Sequence, residues 1–167
     1  YGRMMDRWIR GRVVLELGCG AGRTLERFAG IADLAIGADV DPVSLNRLGR
    51  RLGGRAALVL FDGVRLPLAP ASVDVVYSSN VLEHLHPEDA LTQLREAHRV
   101  LRPGGRLVCI TPPRWNGPHD VSKHFVAPGD RAQGLHLKEY SLGEARDLLV
   151  EAGFVGVRQP WIAPSRL

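Results

Sequence analysis

Short apolar runs alternate with amphipathic stretches along this chain. VVLEL (13–17), LAIGAD (34–39), AALVLF (56–61), VDVVYSS (73–79), RLVCIT (106–111) and FVGVRQ (154–159) each have strand length and are rich in Val, Leu, Ile or Phe. Helical patterns fall between them. Residues 23–28 begin one, with Leu25 and Phe28 on one side. Asp41 followed by Pro42 reads as an N-cap with proline at the first helical position, opening a helix over 43–52. Pro87 opens another, with Glu88 and Asp89 in its first turn and Arg99 and Arg102 in its last, the placement a helix dipole favours. Pro103, Gly104 and Gly105 stop it. Ser141 and Glu144 are spaced as a capping box for a helix through Leu148 and Leu149 that ends at Gly153. Strand–helix alternation predicts an α/β fold: a doubly wound, mostly parallel sheet with helices on both faces. At 167 residues, 1–167 is read as a single domain.

Three glycines, Gly18, Gly20 and Gly22, follow the first strand, where such sheets bind ligands. Clustered glycine costs backbone entropy and signals a sharp bend or a close approach. A dinucleotide fingerprint would read G-x-G-x-x-G. Here the spacing is G-x-G-x-G, Arg23 stands at the third fingerprint position, and Glu16 lies two residues before the first glycine. A carboxylate there repels phosphate and suits an ammonium group. Asp39 ends the second strand, where a carboxylate can accept ribose hydroxyls; since Asp41 caps the next helix, Asp39 is expected to be free for that task. A ligand with a cationic amine, a ribose and no phosphate fits, and S-adenosylmethionine has these features.

Four stretches in order, VLELGCGAGRT, IGADVDPVSL, FDGVRLPLAPASVDVVYSSNVLEHL and LREAHRVLRPGGRLVCITPP, resemble a class I S-adenosylmethionine-dependent methyltransferase of the type 11 domain family. They cover residues 13–113. The resemblance implies that Glu16, Leu17, Gly18, Cys19, Gly20 and Gly22 form the loop under the methionine part of the cofactor. It places Asp39 on the ribose and Val40 against the adenine. Asp62 would accept from the adenine amino group beside Gly63 and Val64, and Asn80 and Val81 would line the pocket near the sulfonium. Cys19 is read as a small filler of the loop rather than a nucleophile, and Cys109 as core.

The implied reaction is in-line transfer of a methyl group, for which positioning supplies much of the catalysis. A general base helps if the acceptor is a hydroxyl. His84, in the VLEHL segment after the fourth strand, has the ordinary pKa for that role, with a purely structural histidine as the alternative. Residues 113–140 show little periodicity, and connections this long are often functional. They are read as a substrate lid, with Trp115, His119 and His136 as substrate-binding candidates and Tyr140 as a second catalytic candidate. No metal is expected.

Composition narrows the class. The chain carries 45% hydrophobic and 24% charged residues, ordinary for a globular protein. No apolar run approaches the roughly 20 residues of a membrane span. Two cysteines suggest no disulfide framework, and a cytoplasmic setting is expected. The net charge is +4, and only Lys123 and Lys138 of 22 basic residues are lysines. The arginines are spread rather than striped, which fits solvated helix faces better than a nucleic-acid footprint. The reading is thus a small-molecule methyltransferase. A nucleic-acid methyltransferase and a non-catalytic binding domain of the same fold are the alternatives. The resembled fold has a seventh, antiparallel strand between the fifth and sixth. Residues 160–167, with Pro160 and Pro164, offer no room for one. The chain is therefore expected to lack C-terminal residues, or to pair its open edge with another chain.

Overall fold

A computed structural model describes residues 2–127 and 130–159. Five strands form one sheet: β1 (Val13–Leu17), β2 (Leu34–Asp39), β3 (Ala57–Leu60), β4 (Val73–Ser79) and β5 (Leu101–Ile110), in the order β3-β2-β1-β4-β5. Every neighbouring pair is parallel. The order reverses between β1 and β4, so the loops after these two strands meet at the carboxyl edge, the usual ligand crevice of such sheets.

Helices cover both faces. On one side α1 (Gly2–Ile9), α2 (Arg23–Ala29) and α3 (Pro42–Leu52) contribute Met5, Ile9, Leu25, Phe28, Leu45, Leu48 and Leu52 to a core with Val14, Val75 and Tyr77. On the other, α4 (Pro87–Val100) lays Ala97 and Val100 against Leu15, Ile36 and Val76. Farther along, α5 (Leu142–Glu151) packs against α4 around Leu94 and Ala152. The expected caps form. The Asp41 carboxylate accepts from the Val43 and Ser44 amides at 2.9 and 3.1 Å. Ser141 and Glu144 close a reciprocal capping box.

Four readings are corrected. Helix α1 lies ahead of the first expected strand, in a stretch for which no element was expected. It has barely two turns and is held by tertiary contacts: buried Met5 and Ile9, and Trp8 beneath the Arg106 guanidinium at 4.5 Å. Helix α4 ends at Val100 rather than at the proline–glycine stop. Arg102 therefore lies in β5, where it pairs with Asp74 at 2.9 Å instead of sitting in the last helical turn. A register shift between Val73 and Val75 absorbs the Pro-Gly-Gly stretch within the β4–β5 pairing. The expected sixth strand does not form. Gly153 and Gly156 both have left-handed backbones, at φ 102° and 65°, so no extended run survives between them. Phe154 instead packs edge-on against His98 of α4, and Val155 is exposed.

Beyond β4, no strand pairs with β5 among the described residues. The expectation about a seventh strand falls on 160–167, outside the described residues. Among the described residues, no helix is long and apolar enough to cross a membrane.

Candidate functional site

The glycine loop is shaped by positive φ at Gly18 (62°), Gly20 (47°) and Gly22 (73°). Each does a different job. A Cβ on Gly18 would lie 2.6 Å from a Val81 methyl, so that glycine lets the loops after β1 and β4 touch. A Cβ on Gly22 would run into Leu48 of α3, so Gly22 serves helix packing rather than a ligand. A Cβ on Gly20 would meet nothing closer than 4.0 Å, which leaves open space above that backbone. The loop is also held from outside, as the Arg51 guanidinium donates to the Ala21 carbonyl.

Asp39 is not the free carboxylate expected from the sequence. One oxygen accepts from the Gly20 amide at 2.6 Å and the other from the Asp41 amide at 3.0 Å. Asp41 does cap α3, but the turn before that helix still recruits Asp39. The carboxylate thereby ties the glycine loop to the end of β2, and carboxylate oxygens keep further lone pairs for a ligand. Glu16 lies on β1 beneath the loop, 6% exposed, with Oε2 buried and unpartnered. Burial pushes its carboxyl up to about 8, against the nearby Thr24 hydroxyl and Leu25 amide, and Asp39 adds to the rise. A cation placed here would relieve an orphaned acceptor. Burial also lifts the Cys19 thiol to about 12, so the loop cysteine is no nucleophile. Leu17 turns into the sheet core and can offer a ligand only its backbone.

The neighbouring loops bring the remaining cofactor candidates alongside. Val40 is exposed, and its methyl lies 3.3 Å from where a Gly63 Cβ would stand. Asp62 accepts the Val64 and Arg65 amides with one oxygen, at 2.8 and 2.7 Å, and those bonds hold its carboxyl below the ordinary range. Asn80 adopts a left-handed backbone, φ 55°, directly after β4.

The described residues of 113–140, the candidate cover, are built on two buried carboxylates that the sequence reading missed. Asp120 accepts from the Ser122, Gly134 and His136 amides. Glu139 accepts from the His119 amide at 2.7 Å, the His136 ring at 2.7 Å and the His119 ring at 3.3 Å. Burial raises the Glu139 carboxyl, but these bonds outweigh it and keep the group below its ordinary value. The Asp120-Val121-Ser122 turn was the signal available for the first of these acids. The cover is tied down where the Leu137 and Lys138 amides donate to the Glu83 carbonyl, in the short 3-10 turn Leu82–His84 after β4.

The substrate and catalytic candidates separate. His84 and His136 meet edge to face, ring centroids 4.9 Å apart. His119 joins them through Glu139. Trp115 is 76% exposed. Tyr140 does not fit a catalytic role in this arrangement. It is 3% exposed among Leu82, Ala90, Leu94 and Ala152, and its hydroxyl has no partner.

Fold and loop together define a parallel α/β protein with a glycine-rich loop and two carboxylates at its switch point. Residues 15–109 match the family described as a methyltransferase domain, and the chain belongs to the S-adenosylmethionine-dependent methyltransferases. Among its relatives is a protein of Mycolicibacterium smegmatis designated a probable S-adenosylmethionine-dependent methyltransferase. It is 35% identical over 156 residues, covering 92% of this chain and 56% of that protein. The chain thus spans about half the length of the relatives it matches. Among solved structures, an S-adenosylmethionine-dependent methyltransferase from Mesorhizobium loti superposes with TM-score 0.70 at 22% identity, covering 90% of this chain and 77% of that one. The [4+2]-cyclase SpnF does so with TM-score 0.70 at 22% identity, covering 90% and 57%. These likenesses describe the fold alone. The family's cofactor is S-adenosylmethionine.

Proposed function

We propose that this chain transfers a methyl group from S-adenosylmethionine to a nucleophilic oxygen, nitrogen or carbon of a small-molecule acceptor lying beneath residues 113–140. The carrying observation is the orphaned Glu16 oxygen beside the Asp39-braced glycine loop: a buried acceptor without a partner, a cradle kept open by Gly20, and a second carboxylate. When bound, the cofactor supplies an electrophilic methyl carbon on a positively charged sulfur.

Each residue then has a task. Glu16 receives the amine, and the backbone of 17–20 wraps the methionine part. Asp39 accepts from the ribose hydroxyls with the lone pairs its two backbone bonds leave. Val40, Asp62, Gly63 and Val64 flank the adenine. Asn80 and Val81 face the reacting end from the loop after β4. His84 lies on that same loop, within reach of an acceptor proton. The cover excludes water, since Asp120 and Glu139 fix its backbone before anything binds. Its polar, histidine-bearing inner segment and limited size suit a small metabolite better than a duplex.

The test is to incubate the full chain with methyl-labelled cofactor and fractionated cell extract, then follow the label by mass spectrometry. A labelled small molecule supports the reading. Label confined to nucleic acid selects the alternative acceptor, and cofactor binding without labelled product makes this a binding domain.

A further inference from the structure

A second cluster stands beside the proposed acceptor position. Glu83, His84 and His136 each offer one ligand atom, and those three atoms lie within 4.8 Å of one another. Glu83 is fully buried. Its Oε2 accepts from the Thr111 hydroxyl at 3.0 Å, while Oε1 is buried with no partner at all. An unpaired carboxylate oxygen in such a place is expensive unless a cation or proton meets it.

The histidines are oriented to suit a cation. His84 Nδ1 lies 3.1 Å from the Leu135 carbonyl, which can only accept, so Nδ1 carries the proton. His136 Nδ1 lies 2.7 Å from a Glu139 carboxylate oxygen, which can only accept. With Nδ1 of each ring turned to an acceptor, Nε2 is the nitrogen left to meet a cation. A carboxylate or carbonyl on the far nitrogen of a histidine is the usual outer support of a metal-ligating imidazole. Two imidazoles and one carboxylate match borderline divalent ions better than magnesium or calcium, which favour all-oxygen sites. Three protein ligands also leave positions open.

We propose that Glu83, His84 and His136 form a binding site for one divalent transition-metal ion of the zinc or manganese class. Ligands at about 2.1 Å around a tetrahedral ion lie about 3.4 Å apart, so the cluster must draw in by roughly an ångström. Exposed His84 is the member able to move. The open positions would take an oxygen of the acceptor, a clause that rests on the methyl-transfer reading. The metal site itself does not rest on it.

The experiment uses tag-free, chelator-treated full chain and titrates ZnCl2, MnCl2 and MgCl2 separately by calorimetry, with S-adenosylhomocysteine titrated in parallel. One Zn2+ or Mn2+ per chain is expected, bound at least about tenfold more tightly than Mg2+. Glu83→Gln, His84→Ala and His136→Ala should each weaken it by about tenfold or more, while His124→Ala, an exposed histidine outside the cluster, leaves it unchanged. The His84 variant changes an exposed side chain, so it keeps the test valid where substitution of buried Glu83 disturbs folding, and circular dichroism separates the two effects. Absence of saturable Zn2+ and Mn2+ binding, equal affinity for Mg2+, or retained binding in His84→Ala and His136→Ala overturns the site. Failure of S-adenosylhomocysteine to bind overturns the methyl-transfer reading and leaves the metal site standing.

Discussion

The buried carboxyl of Glu16 makes cofactor affinity depend on pH in a direction that can be measured. In the empty protein its pKa stands at about 8 instead of 4.5, chiefly through burial. That difference corresponds to roughly 5 kcal/mol against the ionised form, at about 1.4 kcal/mol per pKa unit. An ammonium ligand needs the ionised form. Below pH about 8 each binding event must expel a proton, so affinity should rise close to tenfold per pH unit at first, or about twentyfold from pH 6 to 7.5. Above about pH 7.7 the ligand's own amine begins to lose its charge and the gain levels off. Calorimetry with S-adenosylhomocysteine in buffers of different ionisation enthalpy should count nearly one proton released at about pH 6.5. Glu16→Gln should bind more weakly and lose both the slope and the released proton. Stability of the empty protein carries the complementary sign. Because the folded pKa is raised, Glu16 contributes fully below about pH 4.5, and the contribution fades as pH climbs through 8. The wild type should therefore melt at lower temperature at pH 8 than at pH 5 by more than the Gln variant does. An affinity that stays flat over this range, or a slope surviving in Glu16→Gln, would falsify the assignment of Glu16 to the ligand amine.

Asp39→Ala removes the proposed ribose contacts together with two backbone bonds, so cofactor affinity should fall by about 2–4 kcal/mol in calorimetry, and unchanged affinity sinks its role. Gly20→Val should abolish cofactor binding while folding survives by circular dichroism. Gly22→Val should lower the melting temperature instead, since its new atoms land on Leu48. Tyr140→Phe deletes a buried, unpartnered hydroxyl and should leave turnover and stability nearly unchanged; a tenfold loss of kcat would return Tyr140 to the active centre. Trp115→Ala should impair turnover well beyond any loss of cofactor affinity if the cover closes over the acceptor, and equal losses in both would remove that reading.

What could be read from the residues was whatever local chemistry decides. Asp41–Pro42 and the Ser141/Glu144 pair announce helix starts because each satisfies orphan amides within one turn. β1, β2 and β4 stood out because they are largely buried and so nearly continuously apolar. What stayed hidden depends on distant partners. Helix α1 is too short to hold itself and exists because Met5 and Ile9 find a core. FVGVRQ has the composition of a strand, yet the backbones of Gly153 and Gly156 and the pull of His98 on Phe154 take it elsewhere. Nothing in the local sequence marks Glu83 and Glu139 as buried acids. Only the folding of 113–140 onto the β4 loop buries them and gives them their histidine neighbours.

Asp39 shows why the site and the fold cannot be divided cleanly here. Three glycine backbones in the left-handed region cost entropy on ordering, and one bond within the loop, from the Gly22 amide to the Cys19 carbonyl at 2.7 Å, helps to hold them. The Asp39 bond to the Gly20 amide does so from outside, at 2.6 Å, in the short range of charge-assisted hydrogen bonds. The same carboxylate orders the turn into α3 through Asp41. Cofactor binding therefore meets a loop already set in its receiving shape, and little further ordering has to be paid at that step. The Glu16 carboxyl is the opposite case: burial favours its neutral form while the site is empty, and a cation would favour the charged one. On the methyl-transfer reading, one acid preorganises the cradle and the other reserves a place in it, a division of labour that favours a ligand carrying both a ribose and an amine over one carrying phosphate.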